Sequence, residues 1–125
     1  MPFVFNPSPC PPKCATKPSS EYDAFITRGT TPTFSFTLPE ELTESTINDL
    51  CLAFNQDNSV VFTKKLIDCS FSENTLITTL SQENTLALID GICYFQLKIK
   101  DNSGNVVASQ IYKALVQKIL CDEVL

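Results

Sequence analysis

The clearest signal along the chain is a strict alternation of apolar and polar residues, which is typical of half-buried β-strands. It covers residues 33–38, 50–55 and 92–100. The side chains that this period predicts to face a core are Phe34, Phe36, Leu38, Leu50, Leu52, Phe54, Cys93, Phe95, Leu97 and Ile99.

Less regular apolar runs predict further strands at residues 24–28, 60–66, 75–80 and 106–119, the last as one long final strand. Residues 56–59 resemble a hairpin turn, residues 39–44 end a strand, and Ser81 is placed to cap a short helix. About seven short strands with only stubs of helix predict an all-β fold, an immunoglobulin-like antiparallel β-sandwich. A small closed barrel is the alternative.

The first 20 residues have a different composition, because six of the eight prolines lie within the first 18 positions. Proline fixes φ and biases the preceding residue towards extended backbone, so no helix can form there. We therefore expect residues 1–20 to be an extended docking arm and residues 21–125 to be the sandwich domain. Such an arm buries too little apolar surface to offset the entropy of ordering, so a partner surface is expected to hold it.

The sizeable apolar side chains of the arm sit at its tip, where they could insert into a groove or a sheet edge on a partner. The prolines behind them would act as a rigid spacer. The alternative is that the arm packs back over its own domain. Arg28, the only arginine, could pair with a carboxylate in the domain or across a subunit boundary. The residues predicted to contact a partner are Phe3, Val4, Phe5, Pro9, Pro11, Pro12 and Arg28.

The charge of the chain favours protein partners over nucleic acids and membranes. The net charge is −5, and Lys64 and Lys65 form the only basic cluster. Nucleic acids and anionic membrane surfaces are therefore unexpected partners, because both require clustered Lys and Arg. No apolar run approaches the ~20 residues of a membrane span, and the N-terminus lacks the features of a secretory signal. The chain is expected to fold in a reducing cytosol.

Six cysteines are present. Cys51 and Cys93 fall within predicted strands, where we expect buried free thiols. Cys10 and Cys14 form a possible thiol pair on a proline-rich turn, and three states stay open for them: free thiols, a disulfide formed outside the cell, or half of a zinc site. No metal and no cofactor are predicted for the chain.

The sequence contains few candidate catalytic residues. Histidine is absent, which excludes Ser-His and Cys-His nucleophile pairs, and three glycines could hardly build a phosphate-binding loop. The acidic pairs at 40–41 and 122–123 are interpreted as solvated loop charges. We therefore predict no enzyme activity and no catalytic residues. Exposed tyrosines could stack on sugar rings, which keeps a glycan-binding module as an alternative; the candidates are Tyr22, Tyr94 and Tyr112.

The run FITRGTTPTFSFTLP at residues 25–39 resembles the opening of small virion-associated proteins encoded by tailed phages and prophages of Gram-positive bacteria. The resemblance continues through DC at 68–69, LSQENTL at 80–86 and FQLK at 95–98, and it ends in residues 108–124. Such proteins are similar to the immunoglobulin-like N-terminal domain of phage baseplate upper proteins. The likeness covers roughly residues 25–125 and leaves the arm uncovered.

This resemblance implies a non-enzymatic structural component of the tail or baseplate. Its expected partners are other virion proteins, with homo-oligomers in the assembly, and its expected location is the virion, after assembly in the host cytoplasm. A capsid decoration protein and an adaptor outside the particle are the other possibilities. These 125 residues differ from the family in having no appended receptor-binding region, so host recognition by this chain alone is not expected.

Overall fold

A computed structural model describes residues 3–6, 22–121 and 123–125. In these ranges the chain forms ten strands, one α-helix (α1) and one 3₁₀ helix at Leu66–Asp68. In chain order the strands and α1 are β1 Val4–Asn6, β2 Ala24–Thr27, β3 Thr33–Thr37, β4 Ile47–Gln56, β5 Ser59–Lys65, β6 Cys69–Ser72, β7 Thr75–Thr79, α1 Gln82–Leu86, β8 Gly91–Asp101, β9 Val106–Ala108 and β10 Tyr112–Gln117.

The strands form two sheets that face each other. The four-stranded sheet has the order β1-β3-β7-β6, and the six-stranded sheet has the order β2-β10-β8-β4-β5 with β9 beside β8. All neighbours are antiparallel except β2 and β10, which run parallel over four residue pairs. This confirms the predicted sandwich, with one parallel pair in place of a purely antiparallel arrangement.

The inner faces of both sheets form one hydrophobic core. All ten side chains predicted to face inward from the three alternating segments are buried in it. Rings from the two sheets meet at its centre, where Phe34 of β3 lies 5.2 Å from Phe95 of β8. Because the alternation places every second residue of β8 in this core, the residues between them lie on the outer side of the sheet.

Two predicted connections are confirmed in detail. Asp57 and Asn58 join β4 to β5 with φ of 51° and 62°, the left-handed pair that a tight type I′ hairpin turn requires. Ser81 caps α1, because its Oγ accepts a hydrogen bond from the Asn84 backbone at 3.0 Å. The Asn84 side chain accepts from the Ser81 backbone in return.

The long final strand predicted for residues 106–119 is wrong, because it is divided into β9 and β10. The break lies at Ser109, a buried residue whose hydroxyl accepts from the Leu97 backbone at 3.0 Å and donates to the Gln110 carbonyl at 2.8 Å. These bonds replace regular strand pairing for a few residues. Strand β6 and the 3₁₀ helix were not predicted, since their apolar residues are too few to show a period.

The N-terminal strand changes the expected domain boundary. β1 pairs antiparallel with β3, with Phe5 opposite Phe36, so residues 3–6 belong to the sandwich. Their expected separation from the domain is therefore wrong, and the alternative of an arm that packs back holds for them. Residues 7–21, which contain most of the predicted spacer, lie outside the described residues. The residues before β3 thus supply one edge strand to each sheet.

Candidate interaction surface

The solvent side of the six-stranded sheet carries a row of large apolar side chains. Phe25 of β2 lies opposite Leu115 of β10, and Leu115 lies opposite Ile92 of β8. Phe25 is 49% exposed and Ile92 is 42% exposed, while Leu115 between them is half-buried. Directly opposite side chains on one face are close neighbours, so these three form a continuous apolar strip across three strands. We call this side of the sheet the outer face.

A second row on the outer face combines aromatic and polar groups. Tyr94 of β8 lies between Lys113 of β10 and Asn55 of β4, and Asn55 lies opposite Val60 of β5. The Lys113 Nζ sits 5.3 Å from the centre of the Tyr22 ring, a cation–π arrangement. The strip and this row lie side by side on the outer face, with the strip nearer the beginning of β8.

Tyr94 also borders a shallow cleft of about 350 Å³. Amide side chains surround the ring, and Ile111, which is 63% exposed, adds an apolar wall. The side chains around the cleft are Ala53, Asn55, Asn58, Tyr94, Gln96 and Ile111. An aromatic platform flanked by amides can hold a polar ring compound as well as a protein surface.

Charges of opposite sign lie at the two ends of the outer face. Lys98 stands opposite Cys51 and Lys100 stands opposite Asp49 at one end. At the other end, Asp57 occupies the β4–β5 turn and Asp90 immediately precedes β8, and both are exposed. The described residues contain a single ion pair, between Lys65 and Asp49 at 4.0 Å, which belongs to the basic end.

The predicted docking residues at the N-terminus differ in how deeply they are buried. The Phe5 ring lies within 5.2–5.5 Å of the rings of Phe34, Phe36, Phe95 and Tyr112. It is therefore part of the chain's own core, which corrects its assignment as an anchor for a partner. Phe3 packs partly against the same core, whereas Val4 is 51% exposed. Pro9, Pro11 and Pro12 lie outside the described residues.

Arg28 does not pair with a carboxylate in the described part of the chain. Its Nε donates to the Leu88 carbonyl at 2.7 Å, and an Nη donates to the Leu86 carbonyl at 3.0 Å. These carbonyls lie at the C-terminal end of α1, where orphan acceptors attract cations. Among the described residues the expected salt bridge within the domain is replaced by these two bonds, and pairing across a subunit boundary stays a prediction. The guanidinium holds the end of α1 to the end of β2.

The three tyrosines predicted as candidates for sugar stacking differ in their exposure to solvent. Tyr112 is buried, and its hydroxyl has no hydrogen-bond partner among the described residues, so it cannot stack on a sugar. Burial, with a contribution from Asp23, raises the pKa of Tyr112. Tyr94 and Tyr22 lie nearer to solvent, with Tyr22 packed against Phe25 at 5.9 Å between ring centres. Tyr94 is the most accessible of the three.

The described cysteines are free thiols. Cys93 is buried as expected, and burial raises its pKa to about 11. Cys51 is only half-buried, which corrects the prediction, because it alternates with Leu50 and Leu52 and so lies on the outer face. Cys10 and Cys14 lie outside the described residues.

The described residues contain neither a cluster of metal ligands nor a helix of membrane-spanning length. No group of three His, Cys, Asp or Glu side chains is close enough to hold a metal ion in the described ranges. The one α-helix found there is far too short to cross a membrane, and none of the described helices is long and apolar enough to do so.

The outer face was not singled out by the sequence. The alternation in residues 92–100 indicated which side faces solvent, and it already placed Tyr94 there. The missing signal is the register, since only strand pairing brings Phe25 and Leu115 beside Ile92. A large apolar residue at an outward position in several strands was the one sequence feature that could have indicated this surface.

Comparisons with known proteins address the fold. Neither a protein-family model nor a curated protein sequence matches the chain. The structure is similar to the fibronectin(III)-like modules of CbhA from Clostridium thermocellum, with a TM-score of 0.51 and 10% identity over 95% of this chain and 98% of that chain. CopC from Methylosinus trichosporium OB3b gives a TM-score of 0.47 and 9% identity over 74% and 83% of the two chains. For the V domain of amphioxus IgVJ-C2 the values are 0.31 and 14%, over 74% and 97%. With the observed sheet topology, the similarity to the fibronectin(III)-like modules identifies the fold as an immunoglobulin-like β-sandwich.

Proposed function

We propose that this chain is a non-enzymatic structural protein of a phage virion, an adaptor or accessory component of the tail or baseplate. One structural observation supports the resemblance seen in residues 25–125: the outer face presents a continuous strip of exposed apolar side chains. Contiguous apolar surface on a small soluble domain is typical of an interaction site. The proposed partners are other virion proteins and further copies of this chain, assembled in the bacterial cytoplasm.

Attachment to the particle is proposed through residues 7–21, and contact between copies of the chain through the outer face. Phe5 contributes to the core and is not available to a partner. Residues 7–21 lie between strands β1 and β2 along the chain. The capsid-decoration alternative uses the same surfaces but a different location on the particle.

Mass spectrometry of purified particles, together with immunogold labelling of a C-terminally tagged chain, tests this function. We expect the chain to co-purify with particles in a stoichiometry that matches the tail rings, and gold to mark the tail. Gold on the head with a stoichiometry near that of the capsid subunit would assign it to capsid decoration. Absence of the chain from washed particles would refute a virion role altogether.

A matched pair of variants separates attachment from folding. Replacing residues 7–20 with a Gly-Ser segment of equal length keeps β1 and Phe5 in place, and we expect a folded protein that joins particles poorly. Deleting residues 1–20 also removes β1, so it is expected to lose stability as well as incorporation. Normal incorporation of the Gly-Ser variant would show that residues 7–20 play no part in attachment.

Glycan binding is the second candidate, and the cleft beside Tyr94 is the observation that favours it. Stacking of a sugar on Tyr94 with hydrogen bonds from Asn55 and Gln96 would be lost in Tyr94→Ala. A glycan array followed by calorimetry with the best ligand tests this, with Tyr22→Ala as the control aromatic. If no glycan binds the wild-type chain, this candidate is excluded.

A further inference from the structure

The outer face presents large apolar side chains that lie outside the hydrophobic core of the described residues. Its apolar strip, Phe25, Leu115 and Ile92, runs beside Tyr94 and Ile111 with no covering element among the described residues. We propose that the outer face is the interface of a symmetric homodimer, in which two copies pack face to face with their strands antiparallel across the interface. This inference depends on the chain's own surface and stands whether or not the chain belongs to a virion.

Symmetry and charge together select one arrangement. Two copies that meet through the same face are related by a two-fold axis lying in the interface. If that axis ran along the strands, the basic end with Lys98 would overlie its own image and repel it. If the axis runs across the strands at Tyr94, the basic end of each copy overlies the acidic end of the other. Charge complementarity therefore favours the second arrangement.

The same axis also brings one apolar pair together. Ile92 and Gln96 lie at equal distances on either side of Tyr94 along β8; Leu115 of β10 lies opposite Ile92, and Ile111, just before β10, borders the same cleft as Gln96. Rotation about Tyr94 therefore places Leu115 over Ile111 of the second copy. Lys98 and Asp90 are likewise four residues on either side of Tyr94, so each Lys98 meets Asp90 of the other copy.

The size of the outer face meets the lower bound for a stable dimer. Its five strands are four to eleven residues long and contain 38 residues in all, which at about 3.3 Å per residue and about 4.8 Å between strands cover roughly 600 Å². Stable protein interfaces bury about 600–1,000 Å² on each partner. A second copy can therefore cover more of the strip than a ligand in the Tyr94 cleft, which would leave Phe25 exposed.

Sedimentation equilibrium of the full chain over a wide concentration range tests the proposal. We expect a monomer–dimer equilibrium whose dissociation constant rises at least about 100-fold in Ile92→Lys, because each copy then buries an unpaired ammonium group in the interface, opposite Gln96 of the other copy. Ile67→Lys is the control, since Ile67 is almost fully exposed in the 3₁₀ helix outside the outer face. That variant is expected to dimerise like the wild type, and circular dichroism verifies that both variants fold.

Charge reversal tests the antiparallel arrangement. Lys98→Glu and Asp90→Lys should each weaken the dimer about tenfold, because the contact occurs twice by symmetry, and the double variant should restore the affinity. Three results would overturn the proposal: a wild-type monomer at every concentration, a dimer that tolerates Ile92→Lys, or single reversals that change nothing. If the wild type is a monomer at every concentration, a lower stability of Ile92→Lys would indicate that residues 7–21 of the same chain cover the outer face. Glycan binding at Tyr94 would indicate instead that a sugar occupies it.

Discussion

At the scale of single residues, Phe5 is the side chain that links the first strand to both sheets. Its ring contacts Phe34 and Phe36 of the four-stranded sheet, and Phe95 and Tyr112 of the six-stranded sheet. Tilted and edge-on ring contacts at 5.2–5.5 Å are favourable beyond the burial of area alone. A three-residue strand could not hold its place by backbone pairing only, so this ring is what secures β1.

Phe5→Ala should therefore lower the free energy of unfolding by about 2–4 kcal/mol, the lower part of the range for large aromatic truncations because Phe5 is half-buried. Urea denaturation followed by circular dichroism measures this change. Val4→Ala in the same strand is the control and should change stability by less than about 0.5 kcal/mol. Equal effects of the two substitutions would show that Phe5 does not support the core.

Arg28 gives a second prediction at this scale. Because its partners are the carbonyls of Leu86 and Leu88, Arg28→Gln should cost about 1–3 kcal/mol of unfolding free energy, and the loss should be the same at pH 7 and at pH 4. A carboxylate partner would begin to protonate near pH 4 and the loss would shrink. Urea denaturation of both proteins at the two pH values decides between these outcomes.

At the scale of elements, the β4–β5 hairpin turn requires left-handed backbone at two residues, and neither of them is glycine. Asp57 and Asn58 both adopt left-handed backbone, which Asn and Asp tolerate and Gly adopts freely. In two-residue hairpins of this type the second position favours Gly.

Asn58→Gly should therefore stabilise the protein by about 0.5–1 kcal/mol, whereas Asn58→Ala should destabilise it by a similar amount. Thermal unfolding of the three proteins measures the two shifts. The same sign for both substitutions would mean that Asn58 acts through its side chain and not through its backbone conformation.

The elements also show how far the sequence could predict the structure. For the strands with regular alternation, the sequence predicted both the strand and its inward residues. A period of two places all the apolar side chains on one face, and that face must be the buried one. The Val4–Asn6 strand was missed, since three residues between prolines carry no period and the surrounding composition argued for an arm. The outer face was missed for a related reason: its row of apolar side chains comes from strands far apart in the chain, and only their register brings them together.

At the scale of the whole molecule, packing against the shared core makes the stability of the fold depend on the protonation of two thiols and one tyrosine hydroxyl. Burial raises the pKa of Cys93 to about 11 and also raises the pKa of Cys69 and of Tyr112. Each of these groups is neutral when protonated, and the folded state favours that form. As pH rises above about 9, the unfolded chain loses these protons first, so the folded state loses stability between about pH 9 and 11.

Cys93→Ala should make this alkaline decline shallower, by up to about 3 kcal/mol between pH 8 and pH 11, even though the smaller side chain lowers stability at every pH. The slope of unfolding free energy against pH, from urea titrations, is the measured quantity. Cys121→Ala is the control, because it removes an exposed thiol from outside the core. An unchanged slope in Cys93→Ala would contradict a buried neutral thiol.

The parallel pairing of β2 with β10 has a mechanical consequence. Tension applied between Tyr22, just before β2, and Lys118, just after β10, pulls the two strands past each other along their length. The hydrogen bonds across the four residue pairs then share the load and must fail together, instead of opening one after another as in a hairpin pulled at its ends. A domain joined in this way resists stretching along its strands more than its small size would suggest.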